Sequence, residues 1–302
     1  MSLPFPNFVR DFLDALPDRG RAQVTDVIDR ALNEDGPDLT SRAVFGPLEN
    51  MAAEIVAKQD AVVAGLPMAW LILKRTSSLE ATGPCMVRLD VPEGRWVFPG
   101  QVAAEISGPA AVILRAERTI MNVLCHLSGI ATHTAAHVRA LAGSGCTLLD
   151  TRKTTPGLRF LEKYAVRMGG ARNHRLGLDD MLMLKDNHID RAGSITRAVE
   201  LVRSVHGPEL VLEVECRTVD DVREAVNCSG VQRIMFDNMD PETISRSLEL
   251  VPSGMETEIS GGVTLANIAD LGRLGAGFIS CGALTASAPS ADFSMRCTRT
   301  PA

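Results

Sequence analysis

With 302 residues, 45% hydrophobic and 23% charged, the chain has the makeup of a globular protein, long enough for one large domain or two modest ones with a sizeable core. A formal net charge of −6 excludes the broad basic face that non-specific nucleic-acid or membrane-surface binding needs, and 4% aromatic residues leave no stacking platform for single strands. Seven scattered cysteines without a C-x-x-C pair point to reduced thiols, and the start MSLPFPNFVRDFLDALPD lacks the basic and apolar regions of a signal peptide, so a cytoplasmic location is expected.

In chain order, Val24, Val27, Ile28, Ala31 and Leu32 have the spacing of an amphipathic helix over 20–33, broken by Glu34 to Thr40. From 52 to 107 the texture becomes β-like, with runs at Ala53–Ala57, Met86–Val91, Trp96–Phe98 and Val102–Ile106. Turns are signalled at Glu93-Gly94 and Pro99-Gly100, and one helix interrupts near 66–78. The run Ala61 to Leu73 is too short to span a bilayer and contains Gly65 and Pro67, so no membrane segment is expected. A long helix is predicted over 109–142. His133 and His137 lie four apart on it, but no Glu stands between them and no carboxylate follows nearby, so they read as helix-surface or interface histidines rather than zinc ligands.

After 145 the pattern turns regular. Apolar strands near 147–149, 181–184, 210–214, 231–236, 256–259 and 277–281 alternate with helices that start at Ser194, Thr218, Asp240 and Thr264. Repeated β-then-α units predict a parallel sheet curling into a barrel. Asp150 to Lys153, Lys185, Glu215, Asp237, Ser260-Gly261-Gly262 and Gly282 each fall at or just after a strand's C-terminal end. Those ends meet on one rim of a parallel barrel, where ligands bind.

Between Arg152 and Arg175 stand seven cations, Arg152, Lys153, Arg159, Lys163, Arg167, Arg172 and Arg175, opposed only by Glu162. Two like charges about 6 Å apart at an effective dielectric near 20 repel by roughly 2–3 kcal/mol. Such a crowd either faces solvent or surrounds an anion. Placement of Arg152-Lys153 and Lys185 after apolar runs, and of Asn173-His174-Arg175 after Gly169-Gly170, favours a pocket for a multiply charged small anion.

The segments TRKTTPGLR, EKYAVR, GG before NHRLGL, and KDNHI, with Glu117-Arg118-Thr119, Leu127 to Thr132, Phe236-Asp237-Asn238, Ile259 to Gly262 and Gly282 to Thr285, resemble the quinolinate phosphoribosyltransferase family in order along nearly the whole chain. The resemblance implies an N-terminal α+β, sandwich-like domain over 1–115, with 288–302 returning to it. An incomplete parallel α/β barrel of the type II phosphoribosyltransferase kind would follow over 116–287. It also implies transfer of phosphoribose from phosphoribosyl pyrophosphate (PRPP) to quinolinate with loss of CO₂. Arg152, His174 and Arg175 would grip the acceptor's carboxylates, while Lys153 and Lys185 would serve the donor and developing charge. Thr151 would line the same site, and Arg118 would reach the neighbouring site of a homodimer or higher oligomer.

The residues themselves are suited to this chemistry. Glu215 and Asp237 can accept hydrogen bonds from ribose hydroxyls or hold Mg²⁺ through a diphosphate. Ser260-Gly261-Gly262 and Cys281-Gly282-Ala283 are small-residue loops whose N–H groups can cradle phosphate. Departures from the family pattern are Ala286, where His is common, Ala171, where a third glycine is common, and a shortened acidic turn at 34–40. Three other readings stay open: a ModD-like paralogue acting on another aromatic acid, a Schiff-base lyase built on Lys185, and a non-catalytic anion-binding protein.

Overall fold

The computed structural model describes residues 6–46 and 49–298. Five strands precede the long helix: β1 (Asn50–Ala57), β2 (Ala61–Val62), β3 (Met86–Leu89), β4 (Trp96–Val97) and β5 (Val102–Pro109). Six follow it: β6 (Thr147–Leu149), β7 (Leu182–Leu184), β8 (Leu212–Cys216), β9 (Arg233–Asp237), β10 (Glu256–Ser260) and β11 (Phe278–Ser280). A last strand, β12 (Phe293–Thr298), ends the described chain.

Two compact units emerge. One holds the residues up to Ala135, the segment Thr155–Gly170 and the part beyond Ala288; the other holds Ala136–Thr154 and Ala171–Ser287. In the first unit, β12-β1-β5-β3 form an antiparallel sheet. The helix Asp18–Asp35 occurs where the apolar spacing predicts one over 20–33, and Leu66–Glu80 where one is expected near 66–78; Gly36 ends the former at φ 71°, a conformation that favours glycine. The long helix Ala110–Ala140 packs against the chain at 62–64 through its own polar residues. Thr132 accepts from the Val62 N–H at 2.8 Å, and Ser128 accepts from the Ala64 N–H at 3.0 Å. A side chain at Gly129 would meet the Pro289 carbonyl at 2.2 Å. The motif Leu127 to Thr132 is therefore a packing motif. His137, read as a helix-surface or interface histidine, is buried at 1% exposure.

Helix Arg159–Met168 belongs to this first unit as well. Glu162 is fully buried and accepts from His126 at 2.9 Å and from the Thr155 N–H at 3.1 Å. Lys163 is buried, and Arg167 donates to the Ala15 carbonyl and stacks on the Tyr164 ring. Three of the seven clustered cations thus stand on a packed helix of this unit, not around the pocket described below.

In the second unit the six strands form one parallel sheet in the order β6-β11-β10-β9-β8-β7. No pairing joins β6 to β7 among the described residues; instead Arg172 bridges to Leu149 on the outer edge of β6. The barrel is incomplete, as the resemblance implies. Ser194, Thr218 and Asp240 cap their helices as predicted, each accepting from a backbone N–H three residues on. Thr264 does not: its helix begins at Ile268, because Asn267 closes a turn by accepting the Thr264 N–H and donating to the Gly262 carbonyl.

Candidate active site

Within the second unit, a cavity of about 390 Å³ opens at the C-terminal ends of the parallel strands. Its lining includes Thr151, Arg152, Lys153, His174, Arg175, Lys185, Glu215, Asp237 and Ser260. The cations that follow strand ends and the glycine turn therefore share one hollow. A second hollow of about 880 Å³ shares Arg152, Arg175, Met183 and Lys185 with it.

The electrostatics of the cavity suit an anion. Arg175 is 8% exposed, and its guanidinium donates to the Met181 carbonyl at 3.1 Å and to the Met183 sulfur at 3.3 Å. Burial, and then the neighbouring charge of Arg152, pulls its pKa below the usual value. Arg152 Nε is buried with no hydrogen-bond partner among the described residues. An unpaired buried donor of this kind costs about 1–3 kcal/mol, which a bound carboxylate or phosphate would offset.

Lys185 Nζ donates to Glu215 Oε1 at 2.7 Å. Glu215 and Asp237 end neighbouring strands, and Asp237 accepts from Asn238 Nδ2 at 3.0 Å. Asn238 itself adopts φ 54°, and Gly261 at φ 92° makes room for it: a side chain there would strike Asn238 Oδ1 at 2.1 Å. Gly261 is thus first a packing glycine that seats Asn238 and, through it, Asp237.

The Cys281 loop is less available to a ligand than its composition implies. The Cys281 N–H donates to the Leu149 carbonyl at 3.0 Å, and the Ala283 N–H turns to the Cys281 sulfur. Gly282 instead lets Lys153 lie close, since a side chain there would meet Lys153 Cδ at 2.8 Å. Thr285 reinforces this contact by donating to the Lys153 carbonyl at 2.8 Å. Arg118 stands on the long helix Ala110–Ala140, in the first unit.

Several residues of the site escape sequence reasoning. Met183, Met235 and Ser280 complete the lining, and Ser280 donates to Ser260 at 3.0 Å. His174 Nε2 lies 3.2 Å from Glu213 Oε2 and 3.3 Å from Glu258 Oε2, and both acids are fully buried. Arg233 reaches Glu258 at 3.2 Å. A usable signal existed: Glu213 and Glu215, like Glu258 and Ser260, are two apart on a strand and so share a face.

Burial works against a charged His174 ring, but the two carboxylates outweigh it and raise its pKa; burial above all pushes Glu213 up to about 7. The cluster therefore retains a proton that separated groups would release. His174 Nδ1 accepts from the Arg175 N–H at 2.7 Å, so a proton there would face another donor. With Nδ1 accepting, the ring's N–H lies on Nε2, towards the two carboxylates.

A parallel α/β barrel with a cation-lined cavity and two carboxylates at adjacent strand ends defines a binder of small phosphorylated or carboxylated anions. Comparison narrows that class. The descriptions "Quinolinate phosphoribosyl transferase, N-terminal domain" and "C-terminal domain" match residues 38–128 and 130–296. The probable nicotinate-nucleotide pyrophosphorylase (carboxylating) of Bacillus subtilis is 44% identical over 86% of this chain and 88% of its own length. The chloroplastic enzyme of that name from Arabidopsis thaliana is 40% identical, covering 89% and 81%. The crystal structure of NadC from Streptococcus pyogenes superposes with a TM-score of 0.86 at 36% identity, covering 92% of this chain and 98% of that one. The chain belongs to the quinolinate phosphoribosyltransferase family.

Proposed function

We propose that this protein transfers the phosphoribosyl group of PRPP to quinolinate, giving nicotinate mononucleotide, diphosphate and CO₂. The quinolinate ring nitrogen forms a bond to ribose C1 as the bond from C1 to the diphosphate oxygen breaks. The C2–carboxylate bond then breaks, its electron pair remains on the cationic ring, and a proton replaces CO₂ at C2. The family supports the reaction, and the observation that carries it is the Arg152–Arg175 pair facing the cavity, Arg175 buried and Arg152 half-buried with its Nε unbonded among the described residues. These two arginines suit the acceptor's carboxylates.

Lys153 and Lys185 serve the donor and the charge that develops on its leaving diphosphate. Glu215 and Asp237 take the ribose hydroxyls or Mg²⁺. The described residues fit a lightly held Mg²⁺: the two strand-end carboxylates, one already paired with Lys185, are too few for a cage of protein ligands alone. They match a metal held largely by substrate phosphates. Bound there, Mg²⁺ would neutralise the diphosphate. Ser260, Gly262 and Gly282 stand where phosphate N–H contacts are expected. Lys185 fits this role better than Schiff-base chemistry, which needs a neutral amine not already donating to a carboxylate.

The protein works as a homodimer in the cytoplasm, with Arg118 supplied to the neighbouring subunit's site. No helix of the described residues is long and apolar enough to cross a membrane. The direct test supplies quinolinate, PRPP and Mg²⁺ together and measures CO₂ and nicotinate mononucleotide. Equal amounts of both are expected; absence of turnover with quinolinate, but not with another aromatic acid, would reassign the acceptor.

A further inference from the structure

The pair of buried acids inside the barrel has no part in the chemistry just described, yet it touches a residue of the cavity wall. Glu213 on β8 and Glu258 on β10 flank β9 and face the same imidazole, at 3.2 and 3.3 Å from His174 Nε2. From the other side, the His174 N–H donates to Asp150 Oδ1 at 2.8 Å, and Asn173 Nδ2 donates to Asp150 Oδ2 at 2.7 Å. The ring's remaining nitrogen accepts the Arg175 N–H at 2.7 Å. Nδ1 is thus bonded and Nε2 faces the two carboxylates, and the side chain is only 5% exposed.

We infer that Glu213 and Glu258 are positioning residues for acceptor binding: they lock the His174 ring with Nε2–H inward, and the ring's Nδ1 in turn fixes the backbone of Arg175, whose guanidinium faces the cavity. His174 then acts through Arg175 as well as lining the cavity itself. Without an inward acceptor, the ring can turn over about its bond to Cβ or change tautomer. Either event sets an N–H against that of Arg175 and displaces the guanidinium. Glu258 also pairs with Arg233 at 3.2 Å, and a buried carboxylate costs least where a cationic or N–H group faces it. This inference rests on the proposed acceptor reading for its kinetic consequence, but not for its structural one.

The test compares wild type with Glu213→Gln, Glu258→Gln and the double variant, after thermal unfolding has shown that each folds. The double variant is expected to raise KM for quinolinate at least tenfold, with KM for PRPP and kcat within about twofold; each single variant should show a smaller rise of the same kind. Nitrogen-15 spectra of histidine-labelled wild type should show His174 as the Nε2–H tautomer, unchanged when quinolinate is added. Equal changes in both KM values, wild-type kinetics in the double variant, or a proton appearing on Nδ1 when quinolinate binds would overturn the inference. So would a stoichiometric transition metal in the purified protein, since the same three side chains could also ligate one. An inactive wild type would instead count against the proposed reaction, and the tautomer measurement would still decide the positioning role.

Discussion

Lys185 spans from the strand end of β7 to Glu215 on β8, so it both neutralises a carboxylate and leaves a cation at the cavity wall. Lys153 is held differently: its carbonyl receives the Thr285 hydroxyl, and its aliphatic stem lies over Gly282. Removing either ammonium takes away one charge-assisted contact, which costs about 1.5–3 kcal/mol, or roughly 10- to 150-fold in kcat/KM. Lys153→Ala and Lys185→Ala should therefore lose most turnover with melting temperatures close to wild type. Unchanged kinetics in either would remove that residue from the site.

At the scale of elements, two glycines of the rim make opposite demands. Gly261 holds a left-handed φ and faces the Asn238 side chain and backbone within 2.9 Å, so Gly261→Ala should destabilise the fold. The loss should be on the order of 2 kcal/mol and read directly in denaturant unfolding. Gly282 has an ordinary φ of −70°, and an added methyl would press on the flexible Lys153 side chain at 2.8 Å and touch Thr151 Oγ1 at an ordinary 3.5 Å. Gly282→Ala should leave stability unchanged and lower kcat/KM by displacing Lys153. In the first unit, Glu93 ties together the start of helix Leu66–Glu80 and Tyr164: it accepts from the Gly65 and Leu66 N–H groups and from the Tyr164 hydroxyl. Desolvation outweighs these bonds and pushes it up to about 7, from an ordinary 4.5. A carboxylate raised in the folded state contributes stability that is complete below about pH 4.5 and lost as pH rises through 7. Glu93→Gln should flatten the slope of melting temperature against pH across that window, and an identical slope in both proteins would contradict the assignment.

For the molecule as a whole, the proposed homodimer makes a prediction that no single chain can. Arg118→Ala and Lys185→Ala should each be inactive alone. Mixed under conditions that exchange subunits, half the dimers carry one of each, and in each of those one site regains both residues. Activity should then return to roughly a quarter of wild type. No recovery despite demonstrated exchange would show that Arg118 serves its own chain's site or none.

Much was legible in advance because it depends on local chemistry. Alternating β and α periodicity specified the six parallel strands, and caps at Ser194, Thr218 and Asp240 marked helix starts, since each is settled within a few residues. Strand-end positions likewise foretold the rim residues Arg152, Lys153, Lys185, Glu215 and Asp237. Only the tertiary structure could separate Arg159, Lys163 and Arg167 from the pocket, because charge crowding along a chain does not say which unit a helix joins. It alone also showed Glu213 and Glu258 converging on His174. That cluster is assembled from three separate stretches of chain, and its two acids stand on strands that meet only through the one between them; neither propensity nor spacing encodes which distant side chains will face one another in the interior.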